Sequence, residues 1–329
     1  MTTLKGKHVL VTGATGFIGK NLVRHLMQAK AHITALVLPG EELPQEWGEA
    51  VSIVRGDITD PAAAEQALQG VDVVFHLVAY VGDWGPRERF SAITVRGTQN
   101  LFERCAQNKT HAILVSSVVV YGTALGQQVC HEDLPWGQAV GPYSASKQEQ
   151  ELLARQIASR TGMPLTVIRP SNVFGPHCKP WVHDVVRQLK TGKPALIAGG
   201  KQNAALCNVE NLANALILAA TNENAIGQTY NIHDDSGVTW SQYFGDLACA
   251  VSAPSPRSIP YAAAKWTAIL MEFTWKLLRR PNRPPITREA LNLVGSHHQV
   301  PIDRARKELG FNPDPDSYAQ GLAAIKESL

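Results

Sequence analysis

Seven short apolar runs, rich in β-branched residues, set the strongest limit on what this chain can fold into. They are His8–Val11, Ile33–Val37, Val51–Val54, Val73–Leu77, Ala112–Val115, Leu165–Ile168 and Thr229–Ile232. Each is bounded by Gly, Pro, Asp or Asn, and the stretches between them are long enough for crossover helices. Runs that are continuously apolar, rather than alternating, suit strands covered on both faces, which is the habit of a parallel sheet. The β-α-β-α order therefore predicts a doubly wound parallel α/β sheet whose ligand lies at the carboxyl ends of the strands. Past about Pro176 the alternation loosens, and prolines and tryptophans become denser. The expected organisation is a sheet domain over residues 1–175, with 203–233 returning to it. Residues 176–202 and 234–329 are then left for a smaller, mostly helical C-terminal lobe.

The first run leads straight into Thr12-Gly13-Ala14-Thr15-Gly16-Phe17-Ile18-Gly19, a strand, a glycine turn and a helix start. Glycines there permit a tight turn, let backbone approach a pyrophosphate, and let the helix pack closely on the strand. The helix N-terminus offers free N–H groups and partial positive charge. The spacing is Gly-x-x-Gly-x-x-Gly, and as a bare pattern it also fits an ordinary tight turn. Its place between first strand and first helix favours a dinucleotide. Gly56-Asp57-Ile58 after the third run, and Leu77-Val78-Ala79 at the end of the fourth, stand where such a ligand would cross the sheet. Asp57 alone reads first as a turn or cap residue and counts only as part of this set.

Gly141-Pro142-Tyr143-Ser144-Ala145-Ser146-Lys147 begins a helix on which Tyr143 and Lys147 fall at i and i+4, on one face. A free tyrosine titrates near about 10 and is a poor base at neutral pH. An ammonium within a few Å is expected to lower that value and suit the phenol to acid–base work on a substrate oxygen. Ser117, at the end of the fifth run, is placed to hydrogen-bond the same oxygen.

In this order the motifs resemble an extended short-chain dehydrogenase/reductase, of the NAD-dependent epimerase/dehydratase superfamily. Within it the chain is most similar to the 3β-hydroxysteroid dehydrogenase-like branch. The match runs from Gly13 through Arg169-Pro170-Ser171-Asn172-Val173-Phe174-Gly175-Pro176, with looser agreement at Asn208–Ala213 and Arg304–Phe311. The resemblance implies a Rossmann fold with a substrate lobe and a catalytic set of Ser117, Tyr143 and Lys147, Lys147 also holding the nicotinamide ribose. Ser117 is preferred to Ser116 because the family's active hydroxyl stands four residues before the tyrosine of Tyr-Gly, here Tyr121. The implied cofactor contacts are Gly13, Thr15, Gly16, Phe17, Ile18, Gly19, Asp57, Ile58, Leu77, Val78, Ala79, Tyr143, Lys147, Pro170 and Val173. Substrate candidates are Trp84, Tyr121, Asn172 and His183, although His183 reads first as a satisfied structural histidine. A homodimer built on helices flanking the sheet is also implied.

Departures from the family narrow the reaction. Val118 and Val119 stand where sugar-nucleotide dehydratases carry an Asp-Glu pair, which argues against dehydration. Asn203-Ala204-Ala205-Leu206-Cys207 lacks the arginine with which related epimerases grip a diphosphate, and Thr94 replaces the family's Asn. The ribose-reading position at the end of the second strand holds Val37 and Leu38, neither an acid nor an arginine. Glu41 and Glu42 nearby would repel a 2′-phosphate, so of NAD(P) the sequence favours NAD.

The remaining features bound the setting. Net charge is +3, from 31 basic and 28 acidic residues without a basic block, which argues against nucleic acid. Five scattered cysteines without a Cys-x-x-Cys pair point to reduced thiols and the cytoplasm, and no leader-like apolar stretch or bilayer span is present. His297-His298 lacks a third ligand, reads as surface, and leaves no metal site expected. Residues 262–278 read first as a helix packed on the core. They read second as the lining of an entrance for a sterol-like or alkyl substrate, with Arg279-Arg280 permitting a weak membrane-surface contact. The expected activity is interconversion of a secondary alcohol and a ketone. Its rivals are a nucleotide-sugar epimerase with tightly bound NAD and a non-catalytic dinucleotide sensor.

Overall fold

Along β1 (His8–Thr12) successive side chains leave on opposite faces, and both faces are apolar: Val9 and Val11 enter one buried cluster, Leu10 another. The computed structural model, which describes residues 3–329, repeats this two-sided burial across a seven-stranded parallel sheet. The elements follow as β1, α1 (Phe17–Gln28), β2 (His32–Val37), β3 (Val51–Arg55), α2 (Pro61–Ala67), β4 (Val73–His76), α3 (Arg87–Phe90), α4 (Gly97–Asn108), β5 (His111–Val115), α5 (Pro142–Thr161) and β6 (Leu165–Pro170). The second half adds β7 (Asn172–Phe174), α6 (Asp184–Lys190), β8 (Leu196–Ile197), β9 (Leu206–Asn208), α7 (Val209–Thr221) and β10 (Thr229–Ile232). Then come α8 (Trp240–Ala250), β11 (Ser258–Ile259), α9 (Tyr261–Leu277), α10 (Arg288–Gly295) and α11 (Ser317–Ser328).

The sheet order is β10-β6-β5-β4-β1-β2-β3, so each of the seven apolar runs supplies one strand and the expected fold class is the one observed. Helices α1 and α7 cover one face; α2, α4 and α5 cover the other. Chain order reverses between β1 and β4, so the loops leaving these strands diverge and open a crevice at their carboxyl ends. The glycine turn leaves β1 and Leu77–Ala79 leaves β4, one on each side of that crevice. Beyond the sheet, β7 pairs with β9 and β8 with β11. A third cluster around Phe174, Trp240, Tyr243 and Phe244 joins α6, α8 and α11.

Two local expectations are corrected. Helix α9 touches the protein through a narrow small-residue edge: Ala264 and Ala268 are buried, with Ala264 against Leu291 of α10, while Trp266, Leu270, Phe273 and Leu277 are 63% to 70% exposed. Most of its bulk is therefore not packed on the core. His298 is buried rather than on the surface, because the chain after α10 turns back to bridge Val129 through Gln299 and brings His298 Nε2 to 3.1 Å from the Asn292 carbonyl. Among the described residues no helix is long and apolar enough to cross a membrane. All five cysteines are free thiols, four of them buried.

Candidate active site

Gly16 caps α1 with no side chain accepting from the first turn, and no acidic residue stands in that turn. Unpaired N–H groups and the helix dipole together favour an anion there. Gly19 makes the arrangement possible, since a Cβ on it would overlap the Gly13 and Ala14 carbonyl oxygens. The Thr15 hydroxyl donates to Glu41 Oε2 at 2.6 Å, and the same oxygen accepts the Leu38 N–H at 3.2 Å. A carboxylate thus reaches from the end of β2 to the glycine turn, although Val37 occupies the position where sequence reasoning looks for it. Arg55 donates to the Leu38 and Glu41 carbonyls at 3.5 and 3.3 Å and holds this loop. Asp57 Oδ1 accepts from both the N–H and the hydroxyl of Thr59 at 2.8 Å, and Ile58 is buried against Gly97.

Proline at the first turn and Gly141 at the N-cap start α5, with Ser144 Oγ accepting the Val140 and Gly141 N–H groups at 3.0 Å. Tyr143 then meets the hydroxyl of Ser117, whose own Oγ also accepts the Val119 N–H at 3.3 Å. Ser116 is turned away and donates to Glu151 Oε2 at 2.8 Å, which leaves Ser117 as the serine beside the phenol. Burial, reinforced by the Glu289 carboxylate, holds the Tyr143 phenol well above its usual range, and the Ser117 hydrogen bond offsets only part of this.

The phenol is raised by burial rather than lowered as the sequence led one to expect, and Lys147 is engaged elsewhere. Its Nζ donates to the Val115 carbonyl at 2.9 Å and to Gln150 Oε1 at 2.8 Å, two desolvated acceptors at the end of β5 and one turn along α5. Burial brings the ammonium down to about 7, against the opposing pull of Glu151. An ammonium has three N–H groups, so one remains without an acceptor among the described residues. Gln150 Nε2 continues the network to Thr98 Oγ1 at 2.8 Å and the Val78 carbonyl at 3.5 Å. His76, pushed down to about 3 by burial and so neutral, lies between Thr12 and Thr98 at 2.8 Å from each. Thr94 is buried in the same network: its hydroxyl accepts the Tyr80 N–H at 3.0 Å and its carbonyl accepts from Thr98.

Sequence reasoning missed Gln150, Glu151 and Glu289. Gln150 and Glu151 could have been flagged as polar residues on the helix face shared by Tyr143 and Lys147. Glu289 carries no such signal, because it arrives from α10, 145 residues further along than Ser144. Its carboxylate accepts the Ser144 N–H at 2.6 Å and the Tyr143 N–H at 3.3 Å, capping the helix that carries the phenol. Gly141 makes room, since a Cβ there would overlap that carboxylate. Burial raises Glu289 to about 7, and Asp83 adds to the rise. Asp83 itself bonds Arg283 through both oxygens at 2.5 Å and accepts from Thr287 at 2.6 Å, tying the loop after β4 to the start of α10.

The substrate candidates are placed unequally. Tyr121 is fully buried, donates to Asn231 Oδ1 at 2.9 Å and accepts from Arg169 at 3.0 Å, so its hydroxyl is engaged within the protein. Arg169, paired with Glu151 at 2.6 Å, draws it inward. Trp84 is half-buried at the rim loop, with Lys276 Nζ 6.0 Å from its ring centre. Asn172 is buried and donates to the Ala204 carbonyl at 2.7 Å. His183 is exposed, in the turn that precedes α6. Pro170 and Val173 are buried at the end of β6 and in β7, flanking Ser171, whose buried hydroxyl has no partner among the described residues.

The chain was compared with known proteins. The family model described as "NAD dependent epimerase/dehydratase family" matches residues 9–232. A "2-alkyl-3-oxoalkanoate reductase" of Stenotrophomonas maltophilia is 28% identical over 331 residues, spanning 97% of this chain and 98% of that protein. A "4-hydroxy-2-methyl-3-oxo-4-farnesyl-3,4-dihydroquinoline-1-oxide ketoreductase" of Stigmatella aurantiaca is 25% identical, spanning 97% and 95%. Among solved structures, a UDP-glucuronic acid 4-epimerase of Bacillus cereus, in complex with UDP-glucuronic acid and NAD, superposes with a TM-score of 0.76 at 22% identity. That alignment covers 98% of each chain and speaks to the fold alone.

Proposed function

We propose a reaction for this chain from the premise that it belongs to the NAD dependent epimerase/dehydratase family. It is an NAD(P)-dependent oxidoreductase interconverting a secondary alcohol and a ketone on a hydrophobic substrate. The observation that carries our mechanism is that α5 lies on the end of β5, with Lys147 Nζ on the Val115 carbonyl and Tyr143 beside Ser117. The residues fit a dinucleotide: α1 begins uncapped above a glycine turn, Lys147 keeps one N–H, and the Ser171 hydroxyl is buried without a partner. When bound, that group supplies or takes the hydride. Ser117 and Tyr143 hold the substrate oxygen between them. The phenol stays protonated at neutral pH, because burial and Glu289 hold it up, so Tyr143 gives its proton to the oxygen of a ketone and works as an acid in the reductive direction. Lys147 is left to hold the ribose hydroxyls and, through Gln150, to keep the β4 end in register.

The finer reading favours NAD over NADP, because the Glu41 carboxylate at Thr15 would repel a 2′-phosphate, while Arg55 is engaged with backbone carbonyls. The substrate is read as an alkyl ketone or oxoacid or a sterol-like ketone, bound in a lobe formed from 176–202 and 234–329. The absence of arginine over Asn203–Cys207 and the names of the reductase relatives support this. We place the protein in the cytoplasm as a homodimer, with light-scattering mass in solution as the check.

The test is a panel of 2-alkyl-3-oxo acids, sterol ketones and UDP-sugars, followed by loss of NADH or NADPH absorbance. Oxidation of NADH with an apolar ketone, faster than of NADPH, is expected. A second reading, epimerisation of a nucleotide sugar, is favoured by Asn172, which stands where the resembled sugar-nucleotide epimerases keep an asparagine. Conversion of a UDP-sugar with co-purifying NAD and no net NADH use would overturn the reductase mechanism.

A further inference from the structure

We propose that the outer face of α9 docks this protein on an anionic lipid surface, beside the rim of the catalytic crevice. Trp266, Ile269, Leu270, Phe273 and Leu277 recur at helical spacing and form one exposed stripe along a helix about 25 Å long. Water-facing stripes of this size mark an interaction surface. Charge decides the occupant. Lys265, Lys276, Arg279 and Arg280 are exposed around the stripe. The one acid in residues 261–280, Glu272, is buried and accepts from the Arg288 N–H at 2.7 Å and Nε at 2.8 Å, so this segment offers no free carboxylate to offset them.

Apolar and aromatic residues flanked by cations are the composition of a helix lying in a headgroup layer. A second copy docked α9 to α9 would set four cations against four with no acid between them. The C-terminal end of α9 meets the loop after β4: Lys276 stands over Trp84, and Asp83 next to it pairs with Arg283. A ketone dissolved in the bilayer would therefore meet the crevice at its rim. This last step rests on the hydrophobic-substrate reading above; the docking does not.

The test is flotation of the full chain with vesicles of phosphatidylcholine mixed with phosphatidylserine, beside pure phosphatidylcholine. The protein is expected to float with the mixed vesicles, roughly tenfold less with the neutral ones, and less as salt rises. Leu270→Ser with Phe273→Ser, and separately Arg279→Gln with Arg280→Gln, should each weaken flotation about tenfold or more. Reduction of a short water-soluble ketone should stay unchanged, which also certifies the fold. Equal flotation with both vesicles, no flotation, or flotation indifferent to the substitutions overturns the proposal. A dimer that the Leu270→Ser, Phe273→Ser variant abolishes, without vesicle binding, assigns the face to a second copy instead. Flotation without turnover of any ketone would sink the proposed function and leave the docking standing.

Discussion

At the scale of single residues, the site joins a phenol held protonated with a carboxylate held near neutrality. Tyr143→Phe removes the proton donor and little else, so kcat on a ketone should fall about 100-fold or more while NADH binding, read by fluorescence, is kept. Unchanged turnover would exclude Tyr143 as the acid. Glu289 gives a pH effect whose sign follows from its environment. Burial raises it to about 7 in the folded protein, so its contribution to stability is full below the ordinary carboxylate range and is lost as pH rises through about 7. Glu289→Gln keeps a carbonyl acceptor for the helix N–H groups but cannot ionise. Relative to wild type it should gain melting temperature above neutrality and lose that gain below. Lys147 also titrates near about 7, but it is common to both proteins and cancels from the difference. A pH-independent difference would show that Glu289 is not the titrating group. None of this was legible in the sequence, because Glu289 lies 146 positions from Tyr143 and nothing local marks it. Ser117, Tyr143 and Lys147 were legible as residues, since strand end and helical spacing are local properties. The direction of the Lys147 ammonium was not, because it depends on which carbonyl the neighbouring strand presents.

At the scale of elements, β1, the glycine turn and α1 behave as one unit. Gly19→Ala should force the helix away from the Gly13 carbonyl, at an overpacking cost of about 1–3 kcal/mol. Lower thermal stability with weakened dinucleotide binding is expected. Normal affinity for NADH would show that the turn tolerates a side chain. The strands were readable because two-sided burial demands continuous apolar runs, and all seven were located from that pattern alone. Helix α9 was misread for the complementary reason. An apolar composition records how much surface a helix could bury, whereas how much it does bury depends on the neighbour, and here α10 meets it along one edge, with Leu291 at Ala264 and Arg288 at Glu272.

For the whole molecule, α5 is capped by a segment that the loop after β4 holds in place. The loop after β4 reaches Arg283 and Thr287 through Asp83, and two residues beyond Thr287 Glu289 caps α5. Asp83→Ala cuts that tie at a partly exposed pair, so the stability loss should be modest, about 1 kcal/mol. Residues 283–295 should exchange amide hydrogen faster, with KM for the ketone raised more than kcat is lowered. Unaltered exchange in that segment would mean the tie holds nothing in place. The sequence by itself determined the seven strands, their parallel class and the strand–glycine turn–helix start, because each depends on residues close together in the chain. Tertiary structure alone decided that Glu41 closes over Thr15, that Asn231 and Arg169 engage the Tyr121 hydroxyl, that Glu289 caps α5 and that α9 turns its aromatic face to solvent. Those outcomes depend on which distant surfaces meet, and a polar or apolar side chain carries no local mark of its partner.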